Sequence, residues 1–275
     1  ILSASLTPIS ALVVLSVIVF LCLAAITPVS ALVVLLVLAP LRVLIATEAD
    51  IRLPLDIGQI AFCLLLFSWV MRRIAHRRSP LALHWTPIYI PLFLFLLVIG
   101  LNGFYALSFG AWITELLKWV VILLAVIVML DLGRFARSWE GVIFGLVTAG
   151  LANALIGIYI FFGGSGADHL IVNQRFFRAF GTFGQPNPFG GFLGLLAPLA
   201  LMTASGYGLR VWRTWQRDRV LKRTSALMCA FHGAAASIMM LGVLLSWSRG
   251  AWLGLIVALM IVLVAVPRRH SQGVA

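Results

Sequence analysis

The chain is poor in charge and has few polar segments. Only 10% of its 275 residues are charged and just 8 are acidic, whereas 63% are hydrophobic. A soluble domain of this length cannot bury so much apolar surface, so the composition excludes an ordinary soluble protein. It is typical of a protein that crosses a membrane many times.

Cysteine and histidine are also scarce. The 3 cysteines, Cys22, Cys63 and Cys229, lie in apolar segments without CxxC or CxxH spacing, which predicts buried free thiols. No set of Asp, Glu, His or Cys has the spacing of metal ligands, and no P-loop, GxGxxG or GxSxG motif occurs in a suitable context. We therefore predict that the protein holds no metal and no cofactor.

Long apolar runs are abundant, and a helix that crosses a membrane needs about 20 apolar residues. The runs predict an all-α, polytopic transmembrane bundle, a single integral membrane domain over residues 1–275. About nine spans are expected, at 9–26, 29–46, 54–71, 86–104, 110–130, 141–162, 187–205, 226–247 and 250–267. Since the sequence begins at Ile1 without Met and stops soon after Arg269, we expect it to be incomplete at both ends.

The positive charge predicts the orientation of these spans. If the spans alternate in direction, 14 of the 20 Lys and Arg residues lie on one side, which the positive-inside rule makes cytoplasmic. This rule explains the net charge of +12, so we predict no nucleic-acid partner. The basic loop 206–225 would be cytoplasmic, whereas the loop 163–186 and the junction at Arg249 would face outward. The 14 residues are Arg72, Arg73, Arg77, Arg78, Arg134, Arg137, Arg210, Arg213, Arg217, Arg219, Lys222, Arg223, Arg268 and Arg269.

The outward loop carries a first motif, Arg178-Ala-Phe-Gly-Thr-Phe-Gly-Gln-Pro-Asn187-Pro. Arg175 precedes Arg178 by three residues, so a helical turn would place both on one face. Asn187 is predicted to cap the next span, where free N–H groups and the helix dipole favour an anion. The alternative is that both arginines reach lipid headgroups. Four residues are expected to break any helix before that span: Gly181, Gly184, Pro186 and Pro188.

A second motif, Ser246-Trp-Ser-Arg249-Gly250-Ala251, links the last two spans. So short a link predicts an antiparallel helix pair with Arg249 at the membrane surface, and Gly250 would permit the turn. The hydroxyls of Ser246 and Ser248 can bond freed backbone groups or the oxygens of an anion. Asp168 is the one nearby carboxylate on the predicted side, whereas a phosphate would suit the guanidinium better.

The other polar residues have structural interpretations. Glu115 and Lys118, three apart in the fifth span, are predicted to neutralise each other, the alternative being that they line a cavity. His232 is predicted to be a hydrogen-bonded packing residue, and the outward His169 a solvated side chain or, alternatively, a general base. Eight phenylalanines fit an interfacial belt or a surface for a polyprenyl chain. They are Phe161, Phe162, Phe176, Phe177, Phe180, Phe183, Phe189 and Phe192.

Together the two arginine motifs resemble the O-antigen ligase and polymerase superfamily, multi-span glycosyltransferases of bacterial envelopes. The resemblance covers the layout of residues 110–267 and is specific at the two motifs. It implies that Arg178 and Arg249 bind the pyrophosphate of an undecaprenyl-linked glycan and that Asn187 holds the turn of its motif. Arg175, Ser246 and Ser248 are expected to assist in binding this substrate. It further implies glycan transfer to a lipid or sugar acceptor on the outer face of the inner membrane, without metal or nucleotide.

The resemblance is incomplete in one respect. Members of this superfamily carry a histidine, taken as the general base, in a large outward loop after further spans, and residues 1–275 contain no such region. We expect either an N-terminal fragment of a glycosyltransferase or a shortened relative that is a non-catalytic membrane subunit or scaffold, bound to lipids and partner subunits. A lipid or ion transporter is a third alternative, which the lack of unpaired acidic residues other than Glu115 in the spans disfavours.

Overall fold

The computed structural model describes residues 15, 27–49, 57–75, 85–132, 136–163, 170–173, 175–213 and 219–271. Within these ranges the chain forms α-helices joined by short connections. The helices are α1 (Pro28–Ala49), α2 (Ile57–Ala75), α3 (Tyr89–Leu101), α4 (Phe109–Leu132), α5 (Ala136–Gly163), α6 (Pro186–Arg213), α7 (Arg219–Leu245) and α8 (Arg249–Ser271). A 3-10 turn (Asn102–Tyr105) follows α3, and strands β1 (Ile171–Val172) and β2 (Phe176–Phe177) form a small hairpin between α5 and α6.

The helices confirm the predicted all-α class, and eight of the predicted spans coincide with α1 to α8. Five helices, α2 and α4 to α7, are long and apolar enough to cross a membrane, which indicates a multi-pass membrane protein. The apolar parts of α1, α3 and α8 are shorter. The predicted span 9–26 lies outside the described residues apart from Leu15, so the count of nine spans stays a prediction.

Several helices extend beyond the predicted apolar spans. Helix α6 continues to Arg213 and α7 begins at Arg219, so most of the predicted loop 206–225 is helical. The reason is that Leu, Arg and Lys favour helix, and a helix does not have to end where the apolar surface ends. Residues 214–218, which link the two helices, lie outside the described ranges.

The described helices pack around two apolar cores. One core lies between α1, α2 and α4, where Leu32, Leu65 and Val128 are almost fully buried. The other lies between α5, α6, α7 and α8, around Phe189 and Met239. Helix α1 joins the two groups because it packs against both α2 and α5.

The ring of Phe189 fixes the close packing of the second core. It is fully buried and lies against Gly157 of α5 and Gly181 of the loop before α6, where any larger residue would overlap it. Gly181 also has a φ of +52°, which a residue with a side chain rarely adopts. The loop before α6 is therefore held against the bundle by a close-fitting contact.

Three predictions about individual residues are confirmed and one is wrong. Lys118 pairs with Glu115 at 2.5 Å. His232 is buried, with its Nδ1 2.8 Å from the carbonyl of Met228. Cys63 and Cys229 are free thiols as predicted, but neither is buried: Cys63 is exposed on the outer face of α2, and Cys229 is partly exposed. Cys22 lies outside the described residues.

Candidate functional site

The turn between α7 and α8 has an unusual backbone. Helix α7 ends at Leu245 and α8 begins at Arg249, so only residues 246–248 connect two antiparallel helices. Trp247 has a φ of +52°, a left-handed conformation that is uncommon for a non-glycine residue. The buried hydroxyl of Ser246 donates to the carbonyl of Val243 at 2.6 Å and accepts from the N–H of Ser248 at 3.2 Å. The predicted role of Gly250 is therefore wrong: it lies within α8, and Trp247 makes the turn.

The loop before α6 satisfies the exposed carbonyls at this turn. The last carbonyls of a helix have no partner within the helix, and a positive charge is favoured beside them. Here the N–H of Ala179 donates to the carbonyl of Leu245 at 2.9 Å. The Nε of Arg178 donates to the carbonyl of Ser246 at 2.9 Å, and its Nη2 donates to the carbonyl of Trp247 at 3.2 Å. The two arginine motifs, 68 residues apart at these contacts, thus meet at one end of the bundle.

Asn187 completes this arrangement from α6. Its Oδ1 accepts from the Nη2 of Arg178 at 3.3 Å. The prediction that Asn187 is the N-cap of α6 is wrong, because the helix already begins at Pro186. The segment before α6 is not helical, as predicted, and Pro186 and Pro188 lie in the first turn of α6, where the missing N–H of a proline has no helical partner. Gly181 and Gly184, with φ of +52° and +70°, lie in this non-helical segment.

Arg249 differs from Arg178 in having no protein partner within the described part of the chain. Its side chain is exposed at the first position of α8. The first helical bond of α8 runs from the N–H of Trp252 to the carbonyl of Ser248 at 3.0 Å, so the N–H groups of residues 249–251 precede the helical ladder. Ser248 is 6% exposed, and its hydroxyl has no hydrogen-bond partner among the described residues. The N-terminus of α8 therefore presents donors and a positive charge together, a suitable place for an anion.

A groove of about 970 Å³ opens at this point between α6 and α8. Its polar end is formed by Arg178, Asn187, Trp247, Ser248 and Arg249. Its walls are formed by small and aliphatic residues of the two helices: Gly190, Gly191, Gly194, Leu195, Gly250, Ala251, Gly254, Leu255 and Ala258. The part of α8 from Gly250 to Ala258 is about 12 Å long at the helical rise per residue. The groove thus combines a cationic end with an elongated apolar part.

The absence of side chains keeps the groove open. A Cβ added at Gly191, Gly250 or Gly254 would meet no atom within 4 Å, and one at Gly194 would meet only the carbonyl of Ala251 at 3.9 Å. Gly190 is different, because a Cβ there would lie 2.8 Å from the hydroxyl of Ser246. Gly190 therefore allows α6 to approach the turn, whereas the other four glycines leave space for a ligand.

The buried side-chain amide of Asn153 binds the loop before α6. Asn153 of α5 is fully buried, and its Oδ1 accepts from the hydroxyl of Thr182 at 2.7 Å and from the N–H of Thr182 at 3.3 Å. Its Nδ2 donates to the carbonyl of Ala149 at 3.2 Å. The hydroxyl of Thr182 also contacts the carbonyl of Pro40 in α1. This network links the Arg178 loop to both halves of the bundle.

The structure separates Arg175 from the other predicted site residues. Residues 175–178 do not form a helical turn, because the chain reverses at Asn173, with a φ of +53°, and Phe176–Phe177 pair with Ile171–Val172. The guanidinium of Arg175 lies 5.1 Å from the ring centroid of Phe176, and Arg175 is not among the residues that line the groove. Asp168 and His169 lie outside the described residues.

The groove glycines, Trp247, Asn153 and Thr182 were not predicted from the sequence as parts of the site. A signal for the glycines was present, since Gly250, Gly254 and Ala258 follow one another at intervals of four on α8. In a membrane protein this pattern usually indicates close helix packing, but here it lines an open groove. Nothing in the sequence marks Asn153 as the partner of Thr182, because 29 residues separate them.

No family model, no curated protein and no solved structure matches this chain.

Proposed function

We propose that the groove binds a polyprenyl pyrophosphate that carries a glycan, and that the protein transfers this glycan to a lipid or sugar hydroxyl at the outer face of a bacterial inner membrane. The observation that carries the proposal is the union of a cationic end with an apolar, glycine-walled channel between two helices of a membrane bundle. A soluble sugar phosphate would not use the apolar part, and an uncharged lipid would not use the cationic end.

The polar end suits a pyrophosphate. Arg178 and Arg249 bring two positive charges, and none of the described residues that line the groove is acidic. The N-terminus of α8 and the free hydroxyl of Ser248 add uncharged donors. A pyrophosphate has enough acceptor oxygens to engage several donors at once, which a single carboxylate does not.

The same groups suit the departure of a pyrophosphate. In the transfer, an acceptor oxygen bonds to the anomeric carbon, the bond from that carbon to the pyrophosphate oxygen breaks, and negative charge develops on the pyrophosphate. Fixed donors at this position stabilise that charge. The acceptor hydroxyl must also lose a proton, and none of the described lining residues is a carboxylate or a histidine. This observation favours a second candidate function, a membrane subunit that binds the lipid-linked glycan without transferring it.

The test is binding and transfer by the intact chain in nanodiscs of a neutral phospholipid. Arg249→Ala is expected to weaken binding of a polyprenyl pyrophosphate roughly 10- to 100-fold, the loss of one or two charge-assisted hydrogen bonds. Arg249→Lys is also expected to bind poorly, because an ammonium lacks the planar fork of donors. Transfer of the glycan to a hydroxyl acceptor is then measured by the mobility of the product. Transfer indicates an enzyme, whereas binding without transfer indicates a binding subunit.

Arg213→Ala is the matched control, because Arg213 is a basic residue at the opposite end of α6, away from the groove. It is expected to bind as the unmodified protein does. Equal binding by Arg249→Ala and the unmodified protein, or equal losses in the two alanine variants, would contradict the proposal.

A further inference from the structure

Arg178 and Arg249 lie at the same end of the groove but differ in burial and in hydrogen bonding. Arg178 is half-buried and bonded to protein oxygens, whereas Arg249 is exposed and has no partner among the described residues. On this basis we infer that they have different tasks. Arg178 is a positioning residue that builds the turn before α8, and Arg249 with the N-terminus of α8 is the group that contacts the anion. The inference rests on the proposed function.

The hydrogen bonds of Arg178 carry the first half of the inference. A guanidinium has five N–H donors. Three of those of Arg178 are taken, by the carbonyl of Ser246, the carbonyl of Trp247 and the Oδ1 of Asn187. If the guanidinium turned to a ligand, it would leave the carbonyl of a fully buried Ser246 without its donor, which is costly away from water. Among the described residues nothing accepts from Nη1, so its two donors remain for a ligand.

The positions of the accepting carbonyls show what Arg178 supports. The carbonyls of Ser246 and Trp247 belong to the two peptide groups on either side of the Cα of Trp247, the residue with the left-handed backbone. Such a conformation persists only where its surroundings hold it. Arg178 binds both peptide groups at once and so fixes the direction in which the chain enters α8. Arg249 follows two residues later and depends on this direction.

The substitutions that test this inference use a match in side-chain geometry. The Nε2 of a glutamine occupies the position of the Nε of an arginine, since both follow Cβ, Cγ and Cδ. Arg178→Gln can therefore keep the bond to the carbonyl of Ser246 without any charge, whereas Arg178→Met keeps neither bond nor charge. A ligand role for the charge predicts equal losses in both variants, and a positioning role predicts that glutamine is better.

The first measurement needs no ligand. Amide hydrogen exchange of residues 247–251 is compared for the unmodified protein, Arg178→Met, Arg178→Gln and Arg249→Met. We expect exchange about tenfold faster in Arg178→Met, a smaller increase in Arg178→Gln and no change in Arg249→Met. Unchanged exchange in Arg178→Met would overturn the positioning role, whatever the protein binds.

The second measurement is the affinity for farnesyl pyrophosphate in neutral nanodiscs at several salt concentrations. Arg249→Gln is expected to weaken binding roughly tenfold or more and to reduce its salt dependence, because a contacting charge is lost. Arg178→Gln is expected to weaken it about threefold and to reduce its salt dependence less, because this charge lies near the anion without contacting it. Adding Arg178→Met to Arg249→Gln should cost less than Arg178→Met alone, since a residue that acts through Arg249 has little effect once Arg249 is gone.

The possible outcomes separate the two roles. Equal binding by Arg178→Gln and Arg178→Met, with the salt dependence reduced in both as far as in Arg249→Gln, would overturn the inference and make Arg178 a direct ligand. It would leave the proposed function standing. No binding of farnesyl pyrophosphate by the unmodified protein would overturn the proposed function and the role of Arg249, and hydrogen exchange alone would then decide the role of Arg178.

Discussion

At the scale of single residues, Asn153 is the residue whose environment is most demanding. A side-chain amide inside a membrane bundle is stable only when its hydrogen-bonding groups are used. Asn153 uses its Oδ1 and Nδ2 in three bonds, two of them to Thr182 in the loop that carries Arg178. The hydroxyl of Thr182 has one proton, so it donates either to Asn153 or to Pro40, and the N–H of Thr182 depends on Asn153.

Replacement of Asn153 by alanine should therefore destabilise the loop. It leaves the buried N–H of Thr182 without an acceptor, which is expected to lower the free energy of unfolding by about 2 kcal/mol. Thermal unfolding in detergent, together with hydrogen exchange of residues 179–184, measures the effect. Thr148→Ala is the control, because the hydroxyl of Thr148 donates to the carbonyl of Phe144 within its own helix, α5. Similar stability in the two variants would show that the Asn153 bonds contribute little.

The sequence predicted the site at this scale only in part. It identified Arg178, Arg249, Asn187 and Ser248, all of which line the groove, because charges and amides beside helix breaks are rare in an apolar chain. It assigned the turn to Gly250 rather than Trp247, since the φ of a tryptophan is decided by bonds from Arg178 that are distant in sequence. Local preference pointed to the wrong residue because a tertiary contact outweighs it.

At the scale of elements, the groove is a property of the pair α6 and α8. Its glycines lie where helices in a membrane usually approach closely, yet Gly191 and Gly254 face open space and Gly194 approaches only a carbonyl, 3.9 Å from where its Cβ would be. Under the proposed function, the apolar chain of the lipid occupies this open space. The length of the channel, not its charge, should then determine how much the lipid tail contributes to affinity.

Gly194→Leu is expected to fill the channel without disturbing the fold. A Cβ at this position would lie 3.9 Å from the carbonyl oxygen of Ala251, which is an ordinary contact distance. Binding of farnesyl pyrophosphate should fall about tenfold or more, and binding of isopentenyl pyrophosphate should change much less, since the short chain needs less of the channel. Affinities for the two ligands in neutral nanodiscs check this expectation.

Gly206→Leu provides the comparison on the same helix. Gly206 also has open space where a Cβ would be, but it does not line the groove. Both substitutions replace a helical glycine by a good helix former, so their effects on the helix itself should agree. A tenfold loss in both variants would mean that the groove does not hold the lipid chain.

The helices were predicted better than their connections. Apolar runs of about 20 residues identify helices in a membrane because every backbone group must be bonded within the segment. The loop between α5 and α6 gave no such signal, and the hairpin at Phe176–Phe177 replaced the expected helical turn. Its conformation follows from Asn173 and from the packing of Phe176, parallel to Phe161 at 5.0 Å.

At the scale of the whole molecule, ion pairs join helix ends at the side opposite to the groove. The Nη1 of Arg73 in α2 lies 2.9 Å from the Oδ2 of Asp131 in α4, and both side chains are largely buried. The Nε1 of Trp69 also donates to this oxygen, at 2.8 Å. Arg210 of α6 and Glu140 of α5 are 3.8 Å apart and exposed. These contacts place together helix ends that the distribution of basic residues had assigned to one side.

Asp131→Ala should destabilise the bundle as a whole. It leaves Arg73, which is 5% exposed, without this carboxylate, and breaking a buried pair from one side costs about 3 kcal/mol. The exposed Glu115–Lys118 pair serves as the comparison, and Glu115→Ala should cost less than about 1 kcal/mol. Thermal unfolding in detergent distinguishes the two. A smaller effect at Asp131 than at Glu115 would contradict this account.

The contact between Arg178 and the turn also has a consequence for how related chains would differ. Arg178 bonds to backbone carbonyls, and every amino acid supplies the same carbonyl. This contact alone therefore allows at position 247 any residue that accepts a left-handed backbone, such as glycine or asparagine, whereas β-branched residues are excluded. The arginine at position 178 has no such freedom, because its planar guanidinium donates to both carbonyls and to Asn187 at once. Natural variation should thus be asymmetric across this contact, with a constant arginine facing a variable partner.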